Sequence, residues 1–250
     1  MMLNKADLIL PGWPAPANVK SLQTTRVGGV SIAPYDSLNL GGHVGDDALK
    51  VAANRQLLSP YVPSEPLWLN QVHGTVVVNA AITSCQPDAD ASFTRAPNVV
   101  CATMTADCLP VLLCDEAGTV VAAVHAGWRG LCDGVIEAAV AAMQTPPKSL
   151  MAWLGPAIGP NAFEVGIEVR AAFMLHNNDA ELAFRPAADS KWLGDIYLLA
   201  KQRLHKLGVT RIYGGGLCTY TDQARFFSFR RDGATGRMAS LIWLDGRSNG

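Results

Sequence analysis

Two apolar, β-branched runs at residues 109–114 and 119–125 are separated only by Asp115-Glu116-Ala117-Gly118, and no other feature constrains the fold as much. A linker that short, with Asp and Gly in it, is hairpin chemistry, so the two runs must pair antiparallel. A parallel crossover would need about a dozen residues or more. Further strand-like segments lie at residues 67–72, 75–79, 99–105, 151–154, 211–213, 226–230 and 238–244.

Helical periodicity is clearest over residues 195–207. There Ile196, Leu199, Ala200, Arg203, Leu204 and Leu207 follow i, i+3, i+4, i+7 spacing, and Gly208 is the stop. Three more helices are expected: residues 46–58 with Asp46 as N-cap, 131–144 ending before Pro146, and 168–175. Helices interspersed in a sheet joined mostly by hairpins make the chain α+β, with mixed and largely antiparallel pairing. The Pro-rich stretch at residues 11–16 reads as part of an extended N-terminal arm over residues 1–20. With no repeat and no interdomain linker, residues 1–250 are expected to form a single domain.

Charge and apolarity narrow the function classes. The formal charge is -1, and charged residues are 16% of the chain, against about 25% in ordinary globular proteins. A nucleic-acid clamp or polybasic membrane binder would need surplus Lys and Arg, so neither is expected. The apolar runs, such as residues 109–114 and 138–143, fall far short of the roughly 18 to 20 residues of a membrane helix. Residues 1–10 are interrupted by Asn4, Lys5 and Asp7 and followed by Pro11, Pro14 and Pro16, unlike a signal peptide. A cytoplasmic, reducing location is therefore expected. The six cysteines, at 85, 101, 108, 114, 132 and 218, contain no C-x-x-C pair, so neither a disulfide framework nor a zinc ribbon is expected.

Three residues stand out chemically. His73 precedes Gly74, His125 precedes Ala126-Gly127, and Cys108 precedes Leu109-Pro110, where the proline makes Leu109 extended. All three lie at strand termini, where side chains reach a sheet edge. They are 35 and 17 residues apart in sequence, so only the fold can assemble them. Two imidazoles and one thiolate suit zinc with a fourth position open, and also suit copper. The plainer alternative is two satisfied, partly buried histidines and a small core cysteine.

The motifs are more specific than the spacings. Thr24-Thr25-Arg26-Val27-Gly28-Gly29-Val30-Ser31, Leu38-Asn39-Leu40-Gly41 with His43 and Gly45-Asp46-Asp47, Asn70-Gln71-Val72-His73-Gly74 and Asp88-Ala89-Asp90-Ala91 occur in that order. They are followed by Thr105-Ala106-Asp107-Cys108-Leu109-Pro110, His125-Ala126-Gly127-Trp128-Arg129-Gly130, Gly155-Pro156-Ala157-Ile158-Gly159 and Phe226-Phe227-Ser228-Phe229-Arg230-Arg231-Asp232. Together they resemble the YfiH-type purine nucleoside phosphorylases, long labelled multicopper polyphenol oxidases or laccases. The resemblance runs from about residue 24 to residue 244. Two departures are Phe163 before Glu164 and Phe229 before Arg230, both where Tyr is common.

The resemblance implies a single cytosolic α+β domain whose sheets pack between helical layers, with zinc held by His73, Cys108 and His125. It implies phosphorolysis of adenosine, inosine, guanosine and S-methyl-5'-thioadenosine, and deamination of adenosine to inosine. Purine nucleosides and phosphate are then the partners, and Cys108 and His125 belong to the catalytic centre. A four-copper oxidase fits less well, since His43, His176 and His205 are the only other histidines. The known zinc-deaminase signature, H-x-E with P-C-x-x-C, is absent.

Arg26 is the first candidate for holding phosphate, because its fork suits the anion and Gly28-Gly29 can turn backbone N–H groups toward it. Arg129, before an expected helix start, is the second. Asn39, His43, Gln71 and Arg230 are candidates for contacts with base or ribose, and Trp128 for stacking on a purine or plugging a turn. The group Arg225, Arg230, Arg231 and Arg237 reads as the charged edge of a hairpin that turns at Asp232-Gly233. Asp107, next to a candidate ligand on an expected strand, should face away and either play a structural part or support the ligand from behind. A different chemistry is also open: Cys108 as the nucleophile of a metal-free Cys-His hydrolase, activated by His125 or His73.

Overall fold

The computed structural model describes residues 3–246. Its first part contains β1 (Leu8–Ile9), β2 (Val19–Thr24), α1 (Ala48–Gln56), β3 (Val77–Asn79), β4 (Ala91–Thr94) and β5 (Cys101–Thr105). The hairpin β6 (Leu109–Asp115) and β7 (Val121–Ala126) follows, then α2 (Trp128–Asp133), α3 (Val135–Ala142) and β8 (Leu150–Leu154). The second part contains β9 (Glu164–Val165), α4 (Ile167–His176), β10 (Phe184–Pro186), β11 (Trp192–Gly194), α5 (Ile196–Leu207), β12 (Arg211–Gly214), α6 (Phe229–Asp232) and β13 (Met238–Leu244).

The strands form three sheets. The largest has the order β12-β8-β6-β7-β4-β3. Its outer pairs, β12 with β8 and β3 with β4, are parallel, and the inner pairs are antiparallel. A four-stranded antiparallel sheet runs β1-β2-β13-β5, and a small antiparallel one runs β10-β11-β9.

The run at 109–114 is apolar without interruption because β6 is buried on both faces. Val111 and Leu113 pack in the cluster that includes Ile136 and Ala139 of α3 and Leu199 and Leu204 of α5. Leu112 and Cys114 point the other way, into a cluster with Cys101 of β5 and Ile242 and Leu244 of β13. The far side of the four-stranded sheet is closed by Leu38, Leu40, Leu58 and Trp68. The layers are therefore helices, sheet, sheet, and then α1 with its flanking loops, an α+β architecture with mixed and antiparallel sheets.

Several local expectations change. Residues 67–72 make only single bridges, Leu67 to Cys101 and Asn70 to Asp88. Their hydrogen bonds go elsewhere: the Gln71 side chain accepts from Met104 N and donates to Met104 O, both at 2.7 Å. The helix expected over residues 131–144 starts earlier and is two helices, because Gly134 sits at φ 102 between α2 and α3. Asp47, not Asp46, caps α1, accepting from Leu49 N at 2.8 Å. Residues 226–230 are not a strand. Phe226 and Phe227 are fully buried, and Ser228 caps the single turn α6, so the expected hairpin at Asp232-Gly233 does not form. Within the expected arm, β1 pairs with β2 through Leu8 to Thr24 and Ile9 to Gln23.

Candidate active site

The hairpin sets the centre. His125 lies near the end of β7, opposite Pro110 in the register, and its backbone N donates to Asp90 O at 2.7 Å. Its Nδ1 meets Asp90 Oδ1 at 2.8 Å, which leaves Nε2 to face the site. The same buried carboxylate accepts from His73 N at 2.9 Å, Gly74 N at 2.7 Å and Val72 N at 3.3 Å. Asp90 thus ties the segment carrying His73 to the strand carrying His125.

Cys108 is presented by the turn between β5 and β6. There Asp107 has φ 93, and its carboxylate accepts from Thr219 Oγ1 at 2.6 Å and Arg230 N at 2.7 Å. Asp107 braces this turn, but it also lines the cavity beside Cys108, because it sits in a turn and not on a strand; the expectation that it faces away does not hold. The ligand atoms of His73, Cys108 and His125 all lie within 4.8 Å of one another. Donors on one tetrahedral zinc are roughly 3.5 Å apart given bonds of about 2.0 to 2.3 Å, so small side-chain adjustments bring the three onto one ion. Gly127 keeps the space open. A Cβ there would stand 2.5 Å from His73 Nδ1 and 3.2 Å from Cys108 Sγ. Donor set and cradle both fit a single metal ion.

Electrostatics separate the two imidazoles. Burial disfavours the charged form of His125, but the negative charge of Cys108 and the hydrogen bond to Asp90 outweigh it, raising its pKa to about 9. His73 is lowered, by burial and then by the charge of His125, with Asp90 opposing. Burial also pushes Asp90 up, yet its hydrogen bonds to His125, Gly74 and His73 prevail and hold it below the usual carboxylate range.

His73, Cys108 and His125 line a cavity of about 390 Å³ with Trp128, Phe163, Ile158 and Phe229 as apolar walls. Of the residues expected to contact phosphate, base or ribose, His43, Gln71, Arg129 and Arg230 line it too. His43 is lowered by burial and by the charges of Arg237 and Arg55. Gln71 is committed to Met104 as described. Arg129 is exposed and lies over the Trp128 ring, 4.4 Å from its centroid. Arg230 Nη1 donates to Glu164 O at 2.7 Å.

Arg26 and Asn39 are not brought into this cavity. The Arg26 guanidinium borders a separate surface recess and donates to Asp36 O at 2.9 Å, Asp36 Oδ2 at 3.2 Å and Gln223 O at 3.3 Å. With its fork engaged by a carboxylate and two carbonyls, it has no geometry for gripping phosphate at the metal centre. That expectation is withdrawn. Asn39 is fully buried and holds the chain around Gly41, Asp46 and Arg237. Two residues that matter were missed. Asp90 stood inside a quoted motif without a role, and Arg237, taken for a hairpin edge, lines the cavity. The signal for Arg237 was its place directly before an apolar strand, where a side chain reaches a sheet end.

Fold and site together define an α+β protein with one His-Cys-His centre able to hold a metal, set in a pocket with aromatic and cationic walls. Residues 20–245 match the family described as multi-copper polyphenol oxidoreductase laccase, and the chain belongs to that family, the YfiH-type family of the motifs above. Purine nucleoside phosphorylase YfiH of Escherichia coli is 55% identical over 242 residues, covering 96% of this chain and 99% of that protein. Purine nucleoside phosphorylase PA4543 of Pseudomonas aeruginosa is 55% identical over 237 residues, covering 94% and 98%. Among solved structures, Neisseria meningitidis protein NMB0706 superposes with a TM-score of 0.94 at 55% identity, covering 96% of this chain and all of that one. YlmD from Geobacillus stearothermophilus gives 0.90 at 30% identity, covering 98% of each.

Proposed function

We propose that the chain is a zinc-dependent purine nucleoside phosphorylase that also deaminates adenosine, with His73, Cys108 and His125 holding the metal. One observation carries the reading: three ligands from distant segments converge on the wall of a roughly 390 Å³ pocket, in a chain over half identical to proteins named purine nucleoside phosphorylases. The volume lies in the range of small-ligand pockets, about 300 to 1,000 Å³. Zinc, when bound, supplies a Lewis acid and lowers the pKa of water for attack at a purine carbon. Among the described residues only this one group of ligands can hold a metal, which favours a single ion over a multicopper cluster.

The protein's own groups divide the work. Trp128 and Phe229 offer faces on which a base can stack, and Phe229 is 59% exposed, open to such a partner. Arg129, Arg230 and Arg237 supply positive charge for phosphate. In phosphorolysis a phosphate oxygen bonds to ribose C1', the C1'–N9 bond breaks, and the electron pair leaves with the base, which takes a proton. His43, whose pKa is lowered by burial and by the charges of Arg237 and Arg55, lines the cavity and is placed to exchange a proton with the substrate. Adenosine, inosine, guanosine and S-methyl-5'-thioadenosine are the proposed substrates, and the cytoplasm the proposed location.

A second reading rests on the order Asp90, His125, Cys108, which is that of a hydrogen-bonded carboxylate, a proton-holding imidazole and a nucleophile. Metal analysis of protein purified without added metal separates the two. Stoichiometric zinc, with ribose 1-phosphate formed from inosine only when phosphate is present and inosine formed from adenosine without it, is the expected result. Metal-free protein that hydrolyses an ester or amide through Cys108 would replace the phosphorylase reading with the hydrolase one.

A further inference from the structure

We propose that Arg237 is the residue that holds the phosphate, with the Thr105 hydroxyl as its partner, and that the turn at residues 39–41 serves to aim it. The identity of the anion rests on the phosphorylase reading; the existence of an oxyanion site rests on the structure.

Arg237 is held at both ends of its backbone unit by that turn. Its N donates to Asn39 Oδ1 at 2.9 Å, and its O accepts from Leu40 N at 3.1 Å. Asn39 is itself fixed, since Oδ1 also accepts from Gly41 N at 2.9 Å while Nδ2 donates to Asp46 Oδ2 at 2.9 Å and Gly41 O at 3.2 Å. The stem of Arg237 lies flat on Gly41, where a Cβ would stand 2.8 Å from Arg237 Cγ. Nη1 donates to Thr235 O and Gly236 O, each at 3.0 Å. Nε and Nη2 make no hydrogen bond among the described residues; the guanidinium lies 5.9 Å from the Phe229 ring centroid, and Cys108 and Asp107, the charges that favour its ionised form, are not in ion-pair contact with it.

Thr105 supplies the second, independent observation. It is 1% exposed, lines the same cavity, and its hydroxyl has no hydrogen-bond partner. The register sets Thr105 opposite Met238, so Arg237 leaves β13 at the end of β5 from which Cys108 is presented. Buried hydroxyls are almost always paired, and a guanidinium with free donors and no carboxylate in ion-pair contact suits a tetrahedral oxyanion. Arg230 already serves Glu164 O, and Arg129 is exposed on Trp128, so neither is held in this way.

The test uses metal-loaded full-length protein: phosphate KM with inosine as co-substrate, and calorimetric titration with inorganic phosphate. Arg237→Gln should weaken phosphate in both by roughly 30-fold or more, with bound metal unchanged. Arg237→Lys should recover part, because it restores charge without the fork. Gly41→Ala, which displaces the stem, and Thr105→Val should weaken phosphate in the same direction, while Thr105→Ser stays close to wild type. A phosphate KM in Arg237→Gln within threefold of wild type overturns the proposal and leaves the phosphorylase reading intact. Phosphate binding that depends on Arg237 without any turnover of inosine upholds the anion site and removes the phosphorylase reading. If Arg237→Gln does not fold, unchanged phosphate binding in both Gly41→Ala and Thr105→Val overturns it instead.

Discussion

Asp90 is fully buried, yet four donors converge on its carboxylate, one of them the Nδ1 of a metal-competent histidine. Its amide isostere keeps one accepting oxygen and replaces the other with a donor facing backbone N–H groups or the imidazole. Asp90→Asn should therefore lower zinc affinity by about 10- to 100-fold, measured by competition with a chelator of known affinity; unchanged affinity would show that Asp90 only braces the chain. Cys108→Ala should abolish stoichiometric zinc and nucleoside turnover while the circular dichroism spectrum is retained, since two ligands hold zinc far more weakly than three. Full zinc in that variant would remove Cys108 from the ligand set. Cys85→Ala is the contrasting control, because Cys85 is exposed and outside the cavity. The three candidate ligands were legible as residue types at expected strand ends, although His73 follows a segment that makes only single bridges; Asp90 was not legible, because its role depends on donors 16 to 35 residues away.

At the scale of elements, the break between α2 and α3 shows how one backbone angle overrides composition. Residues 131–144 carry enough Ala and Val to read as one helix, but Gly134 at φ 102 is both the C-cap of α2 and the N-cap of α3. Gly134→Ala meets nothing closer than 3.6 Å, so its cost is backbone strain and not collision. Left-handed strain is worth about 1 to 2 kcal/mol, and a loss of that size lowers Tm by roughly 2 to 8 °C in a domain of this length. Thermal unfolding checks this; an unchanged Tm would mean that the two helices realign without strain. The Arg26 segment likewise joins loops. Its N donates to Arg225 O, its O accepts from Ser37 N and Leu38 N, and its guanidinium holds Asp36 and Gln223. Arg26→Ala should cost about 1 to 3 kcal/mol in urea unfolding and leave the phosphate KM unchanged. A raised phosphate KM with normal stability would return Arg26 to the phosphate site.

For the whole molecule, the proposed zinc centre sets metal and proton in competition for one buried imidazole. The pKa of His125 is raised from 6.5 to about 9 in the metal-free protein, so the stability this group contributes is fully present below about pH 6.5 and is lost as pH rises through 9. Zinc needs the deprotonated ring, so loading should release protons and strengthen as pH rises over the same interval. The difference in Tm between zinc-loaded and metal-free protein should therefore widen from pH 6.5 to 9. A constant difference across that range would exclude proton competition at His125.

The β6–β7 hairpin, the capped helix α5 with Gly208 at φ 94, and the α+β class followed from the sequence, because apolar period, short linkers and caps act over a few residues. His73, Cys108 and His125 were recognisable there as candidates for one centre. Their approach to within 4.8 Å was decided by tertiary structure, through Asp90 clamping the 70–74 segment to β7 and the Asp107 turn bracing Cys108. Tertiary structure also exchanged the arginines, turning Arg26 into a loop brace and seating Arg237 in the cavity. A guanidinium reaches across several residues and follows whichever carbonyls and carboxylates the fold leaves unmatched. Its role is set by partners nearly 200 positions away, Gln223 for Arg26 and Asn39 for Arg237, which no local pattern encodes.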